Sequence, residues 1–80
     1  MKAKIHVTLK KGVLDPQGTA IKQSLHNLNM ADVENVTQGK YFEITLSEKN
    51  PEKAKEIITK SCEKLLANTV IENYNFELVG

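Results

Sequence analysis

The chain has no arginine, a single cysteine and no long apolar run. All eleven basic residues are lysines, set against ten acids for a net charge of +1. The two signs alternate along most of the chain, and only Lys2, Lys4, Lys10 and Lys11 form a local excess. A nucleic-acid binder presents a basic stripe or a clear surplus, so no nucleic-acid partner is expected. One cysteine, Cys62, excludes an internal disulfide and fits a reducing cytoplasm. No stretch approaches the length of about 18 apolar residues that spans a bilayer, so no membrane partner is expected. The opening MKAKIHVTLKK alternates and lacks the apolar block of a signal peptide. The four glycines form no phosphate-cradling motif.

Eighty residues make one small domain, 1–80. A chain of this size buries only about 60% of the surface its unfolded form exposes, and without disulfide or metal it gains stability by associating.

Residues 3–9 alternate: Ala3, Ile5, Val7 and Leu9 on one side, Lys4, His6 and Thr8 on the other, a half-buried strand. A helix follows from Pro16 to about Leu28, with the stripe Ala20, Ile21, Leu25 and Leu28. Residues 33–46 read as one long strand bent at Gly39, or as two short strands joined at Gln38-Gly39. Phe42, Ile44 and Leu46 face inward. Asn50 caps a second helix that Pro51 opens, with the stripe Ala54, Ile57, Ile58, Cys62, Leu65 and Leu66. A last strand spans about 73–79, with Tyr74, Phe76 and Leu78 inward. The expected class is α+β: a two-layer sandwich with both helices on one face of a small, mostly antiparallel sheet. The order is β-α-β-α-β with a long middle strand, or β-α-β-β-α-β. The other face is polar, with Lys4, His6, Thr8, Tyr41, Glu43, Asn73, Asn75 and Glu77.

No catalytic constellation emerges. Cys62 lies on an apolar stripe, where a small buried hydrophobe outweighs a nucleophile. His6 and His26 are isolated and make no zinc site. Tyr41 is the only outward aromatic, too few for an RNA-reading sheet. No catalytic, cofactor-binding or metal-binding residue is expected on this chain.

What stands out is VLDPQG, residues 13–18. Asp15 suits an N-cap and Pro16 the first helical position. Gly18 then costs the helix about 1 kcal/mol against alanine, and Gln17 has no role in the cap. Both leave room for contact with something outside the chain.

VLDPQG after the first strand, GKYFEI in the middle strand and CEKLLANTVIENY near the end together resemble the PurS family, the small subunit of phosphoribosylformylglycinamidine synthase. Thr69 stands where that family usually has proline, and no arginine precedes Gly39. The resemblance implies a subunit without catalytic residues of its own. It would join a glutaminase subunit to a large synthetase subunit that converts formylglycinamide ribonucleotide to formylglycinamidine ribonucleotide in purine biosynthesis. It implies no cofactor bound by this chain alone, with ATP, Mg and glutamine used by the complex. It further implies a homodimer, or a tetramer built as a dimer of dimers. Candidate partner contacts are Asp15, Pro16, Gln17, Gly18, Gly39, Lys40, Leu66 and Asn68. The alternative is an ACT-like regulatory module that binds a small molecule at a subunit interface.

Overall fold

The alternating run near the N-terminus becomes the central strand of a three-stranded sheet. The computed structural model describes Met1–Gly80. Strand β1 is Lys2–Leu9, β2 is Lys40–Thr45 and β3 is Glu72–Val79, in the order β2-β1-β3. Both pairings are antiparallel, with Ile5 opposite Phe42 on one side and Phe76 on the other. Helix α1 is Pro16–Asn27 and helix α2 is Pro51–Ser61, continued by a π-helical turn over Cys62–Leu66. The class is α+β, as expected, with an entirely antiparallel sheet.

The period of two puts Ala3, Ile5 and Val7 on one face of β1, all fully buried. Ala54, Ile58 and Cys62 bring the stripe of α2 down on them, and Ala67 closes the end. Phe42, Ile44, Leu46, Leu66, Tyr74, Phe76 and Leu78 ring this small core. Both helix starts follow the sequence. Asp15 accepts from the Gly18 N–H and Asn50 from the Glu52 N–H, each followed by proline. Helix α1 stops where Asn29 takes a left-handed conformation at φ 66°.

Three expectations need correction. First, only α2 lays its stripe on the sheet, through Ala54, Ile58 and Cys62, while Ile57 of that stripe is 43% exposed. In α1, Ala20 and Ile21 are exposed and Leu25 is half-buried, and Leu28, just past its end, is 64% exposed. An apolar stripe specifies that a helix face will be covered, not that the same chain will cover it. Second, residues 33–46 form neither a long bent strand nor a hairpin. Strand β2 begins at Lys40, and 33–39 have no regular structure. Gly39 is therefore no bulge. It precedes the strand, where an added Cβ would lie 2.5 Å from the Val7 carbonyl oxygen. Third, Leu65 is not core but 82% exposed. The π-turn, closed by the Ala67 N–H to the Cys62 carbonyl at 2.9 Å, is wider than an α-turn. It rotates Leu65 off the stripe and leaves Leu66 facing the sheet.

The molecule is long and thin, 49 × 25 × 14 Å. Its radius of gyration is 16.1 Å, against about 12 Å for a compact domain of this length. Its accessible surface is 6101 Å², where a compact protein of 9.0 kDa exposes about 4,900 Å².

Candidate interaction site

The unusual motifs converge on one end of the sheet, around residues 36–40, where two clasps hold the chain together. The first is built on Asp15. Its Oδ1 accepts from the Gly18 N–H at 2.8 Å, and its Oδ2 accepts from the Gln38 N–H at 2.9 Å. One carboxylate thus caps α1 and fastens a segment 23 residues away. These N–H groups, Gly18 first, hold the Asp15 carboxyl below its ordinary value, because they stabilise the charged form. Gly18 is the one buried residue of α1. An added Cβ there would collide with the Val36 carbonyl oxygen and lie 2.8 Å from Asp15 Oδ2. The close backbone approach that this glycine permits is made by the chain's own 33–39 segment. Pro16 and Gln17 remain exposed beside it.

The second clasp is built on Lys40. It follows Gly39 and lies opposite Val7, on the face that α2 covers. Its Nζ donates to the Leu66 carbonyl at 3.1 Å and pairs with Glu72 at 3.3 Å. Glu72 also accepts from the Asn68 N–H at 2.7 Å, while the Asn68 carbonyl accepts from the Ile71 and Glu72 N–H groups. The Glu72 carboxyl is held below its ordinary value, first by the Asn68 N–H and then by Lys40. Tyr74 adds a bond from its hydroxyl to Glu63 on the π-turn. This clasp fastens the end of α2 to the start of β3. It leaves Leu65 and Val70 outside it, the latter 81% exposed.

The candidate contacts therefore divide. Asp15, Gly18, Gly39, Lys40, Leu66 and Asn68 all make internal contacts, whereas Pro16 and Gln17 face solvent. The sequence pattern does not single out Glu72 or Val36, and it marks Gln38 only as a turn residue beside Gly39. Their signal is spatial, because each meets its partner only once the sheet has formed. On the polar face, His6 stacks against Tyr41 with ring centroids 4.8 Å apart, and Tyr41 donates to Glu43, which also pairs with Lys2. Desolvation and the Glu43 bond raise the Tyr41 hydroxyl above its ordinary value. Cys62 is buried among apolar side chains, which raises its thiol. No three His, Cys, Asp or Glu side chains converge, and no helix is long and apolar enough to cross a membrane.

Two internal clasps, a thin core, an uncovered helix stripe and two open sheet edges define a class: a small α+β module built to associate with other polypeptides. The particular family follows from its relatives. The family model PurS, described as phosphoribosylformylglycinamidine (FGAM) synthase, matches residues 2–80. The PurS subunit of Bacillus subtilis is 47% identical over 77 residues, covering 96% of this chain and 90% of that protein. The Methanocaldococcus jannaschii subunit is 40% identical over 96% of this chain and 93% of its own. A crystal structure of B. subtilis PurS superposes with a TM-score of 0.89 at 46% identity, covering 99% of this chain and 98% of that one. A chain in the structure of PurLQS from Thermotoga maritima has a TM-score of 0.87 at 35% identity, covering 98% and 95%. This chain belongs to the PurS family.

Proposed function

We infer that the chain is the small subunit of phosphoribosylformylglycinamidine synthase, a glutamine-dependent ligase complex of purine biosynthesis. The observation that carries this reading is identity of 47% over nearly the whole chain to a protein named as that subunit. The single domain, 1–80, contributes no catalytic residue. It holds together a glutaminase subunit, which releases ammonia from glutamine, and a synthetase subunit, which uses ATP and Mg to activate the substrate amide. The physical support is a surface about 1,200 Å² larger than a compact protein of this mass exposes, where a standard interface removes about 800 Å² from each partner. Part of that surface is covered by a second copy, as a dimer or a dimer of dimers, and part by the two larger subunits. A cytoplasmic location accords with the free thiol.

Co-elution tests this. The tagged chain should carry the glutaminase and synthetase subunits of its own source through gel filtration as one assembly. Separate elution of all three, with glutamine, Mg and nucleotide present, would refute it.

A further inference from the structure

Helix α1 and the sheet each carry an apolar face, and the chain does not bring the two together. Residues 10–39 leave the sheet after Leu9 and return at Lys40, which pairs with Val7, so the excursion starts and ends at one end of the sheet. An eight-residue strand spans about 27 Å, whereas the molecule is 49 Å long. No strand and no other helix packs along α1. Its ties run to residues 33–39: Asp15 to the Gln38 N–H, Gly18 against the Val36 carbonyl and His26 to the Val33 carbonyl. Helix and segment together form an arm. Along one side of it lie Ile21, Leu25 and Leu28, spaced as i, i+4 and i+7. A helix of this kind draws most of its stability from covering that side.

The matching face lies beside α2. Phe42 and Ile44 of β2, and Leu46 just past it, are only half-buried on the face that α2 covers. Counting about 100° per residue from the sheet-facing Ile58, Ile57 and Glu63 fall on opposite sides of α2 and its final turn. Glu63 accepts from Tyr74 of β3, so Ile57 overlooks β2. Ile57 is 43% exposed, which leaves a groove between β2 and α2 with apolar walls on both sides. From Phe42 to Leu46 the groove runs about 13 Å, and from Ile21 to Leu28 the stripe runs about 10 Å.

We propose that two copies of this chain exchange their arms across a two-fold axis, each α1 lying in the groove between β2 and α2 of the other. The occupant is a second copy because both complementary faces belong to this one chain, and a two-fold axis repeats the contact and closes the assembly. The area agrees: the surface exceeds that of a compact protein of this mass by about 1,200 Å², against about 800 Å² removed from each partner in a standard interface. The exchange also completes the sandwich that the sequence pattern specifies, with two helices on one sheet face and the second supplied in trans. In the separated chain the stripe of α1 is bare. The proposal deepens the reading of the chain as an associating subunit and rests on it.

The test mixes two broken copies. Leu28→Asp spoils the arm and leaves the groove intact, and Ile57→Lys spoils the groove and leaves the arm intact. Each variant alone should halve the mass of the wild-type oligomer in light scattering at micromolar concentration, with unchanged circular dichroism. Mixed in equal amounts, the two should restore that mass, because the intact arm of one meets the intact groove of the other and the remaining contact sets Asp against Lys. Leu28→Ser and Ile57→Ser give the same readout if a charge unfolds the chain. A mixture that stays at half mass would overturn the exchange, since it shows that arm and groove do not meet each other. Single variants that keep the full mass would overturn it as well, because the copies then join elsewhere, and so would a wild-type chain of 9.0 kDa. In all three cases the subunit reading stands if the wild type co-elutes with the glutaminase and synthetase subunits, and falls with the exchange if it does not.

Discussion

Helices α1 and α2 begin alike and end in different surroundings. Each opens with Asx-Pro, a side-chain cap and proline at the first position, and each carries an apolar stripe. Helix α2 buries Ala54 and Ile58 on the sheet, and the turn after it buries Cys62. Helix α1 buries only Gly18, and it is tied to the 33–39 segment at both ends, by Asp15 to the Gln38 N–H and by His26 to the Val33 carbonyl. The difference teaches that local sequence specifies a helix and the face to be covered, while tertiary contact decides what covers it. Helix α2 belongs to the fold. Helix α1 is held in place by a clasp, with its stripe available to another chain.

The largest expected effect comes from the packed helix. Ile58→Ala removes a fully buried side chain from a core of six residues and should cost about 2–5 kcal/mol in denaturant unfolding. Ile21→Ala, at 40% exposure in α1, should change unfolding of the isolated chain by less than about 1 kcal/mol. Equal costs at the two positions would break the distinction between the helices.

Gly18→Ala comes next. Helix propensity alone favours alanine by about 1 kcal/mol, but the Val36 carbonyl occupies the space. A net loss of about 1–3 kcal/mol is expected, seen as a lower melting temperature. A higher one would mean that the 33–39 segment moves aside freely.

The clasps also carry a pH dependence. Asp15 and Glu72 have lowered carboxyl values in the folded chain, so their contribution is present above the unfolded value of about 4. It is lost as pH falls through the lower folded values. Melting temperature should therefore fall on acidification below about pH 4. Asp15→Asn should be less stable at neutral pH and show a flatter acid limb, since it keeps one acceptor but not the charge. An unchanged limb would remove Asp15 from this account.

Lys40→Met, the milder of the two clasp changes, keeps the stem of a side chain on the α2-covered face and deletes its bonds to Leu66 and Glu72. A loss of about 1 kcal/mol is expected, with faster amide exchange over 62–72 and little change in α1.

Much of this was legible in the sequence. The alternation of residues 3–9 and 73–79, both proline-led caps and the Ala54, Ile58 and Cys62 part of the α2 stripe depend on near neighbours, and the structure bears them out. Residues 33–39 belong to a run that reads as strand in the sequence, yet they have no regular structure. The carbonyls of Val33 and Val36 instead meet α1 at its two ends, Val33 at His26 and Val36 at Gly18. The turn after α2 could not be read from a 3.6 period, because a π-turn breaks that period. Both clasps join residues more than twenty positions apart, and no local pattern reports such a bond. Gly18 was the one visible trace: a residue unfavourable to its own helix, placed where a carbonyl comes close.

Glutamine-dependent synthesis in a reconstituted mixture tests the central claim most directly. Purified glutaminase and synthetase subunits are titrated with this chain, and formation of formylglycinamidine ribonucleotide is followed. The rate should be negligible without the chain, rise with it and saturate at a fixed stoichiometry. The chain alone should be inactive with glutamine or ammonia. An equal rate in its absence would contradict the account.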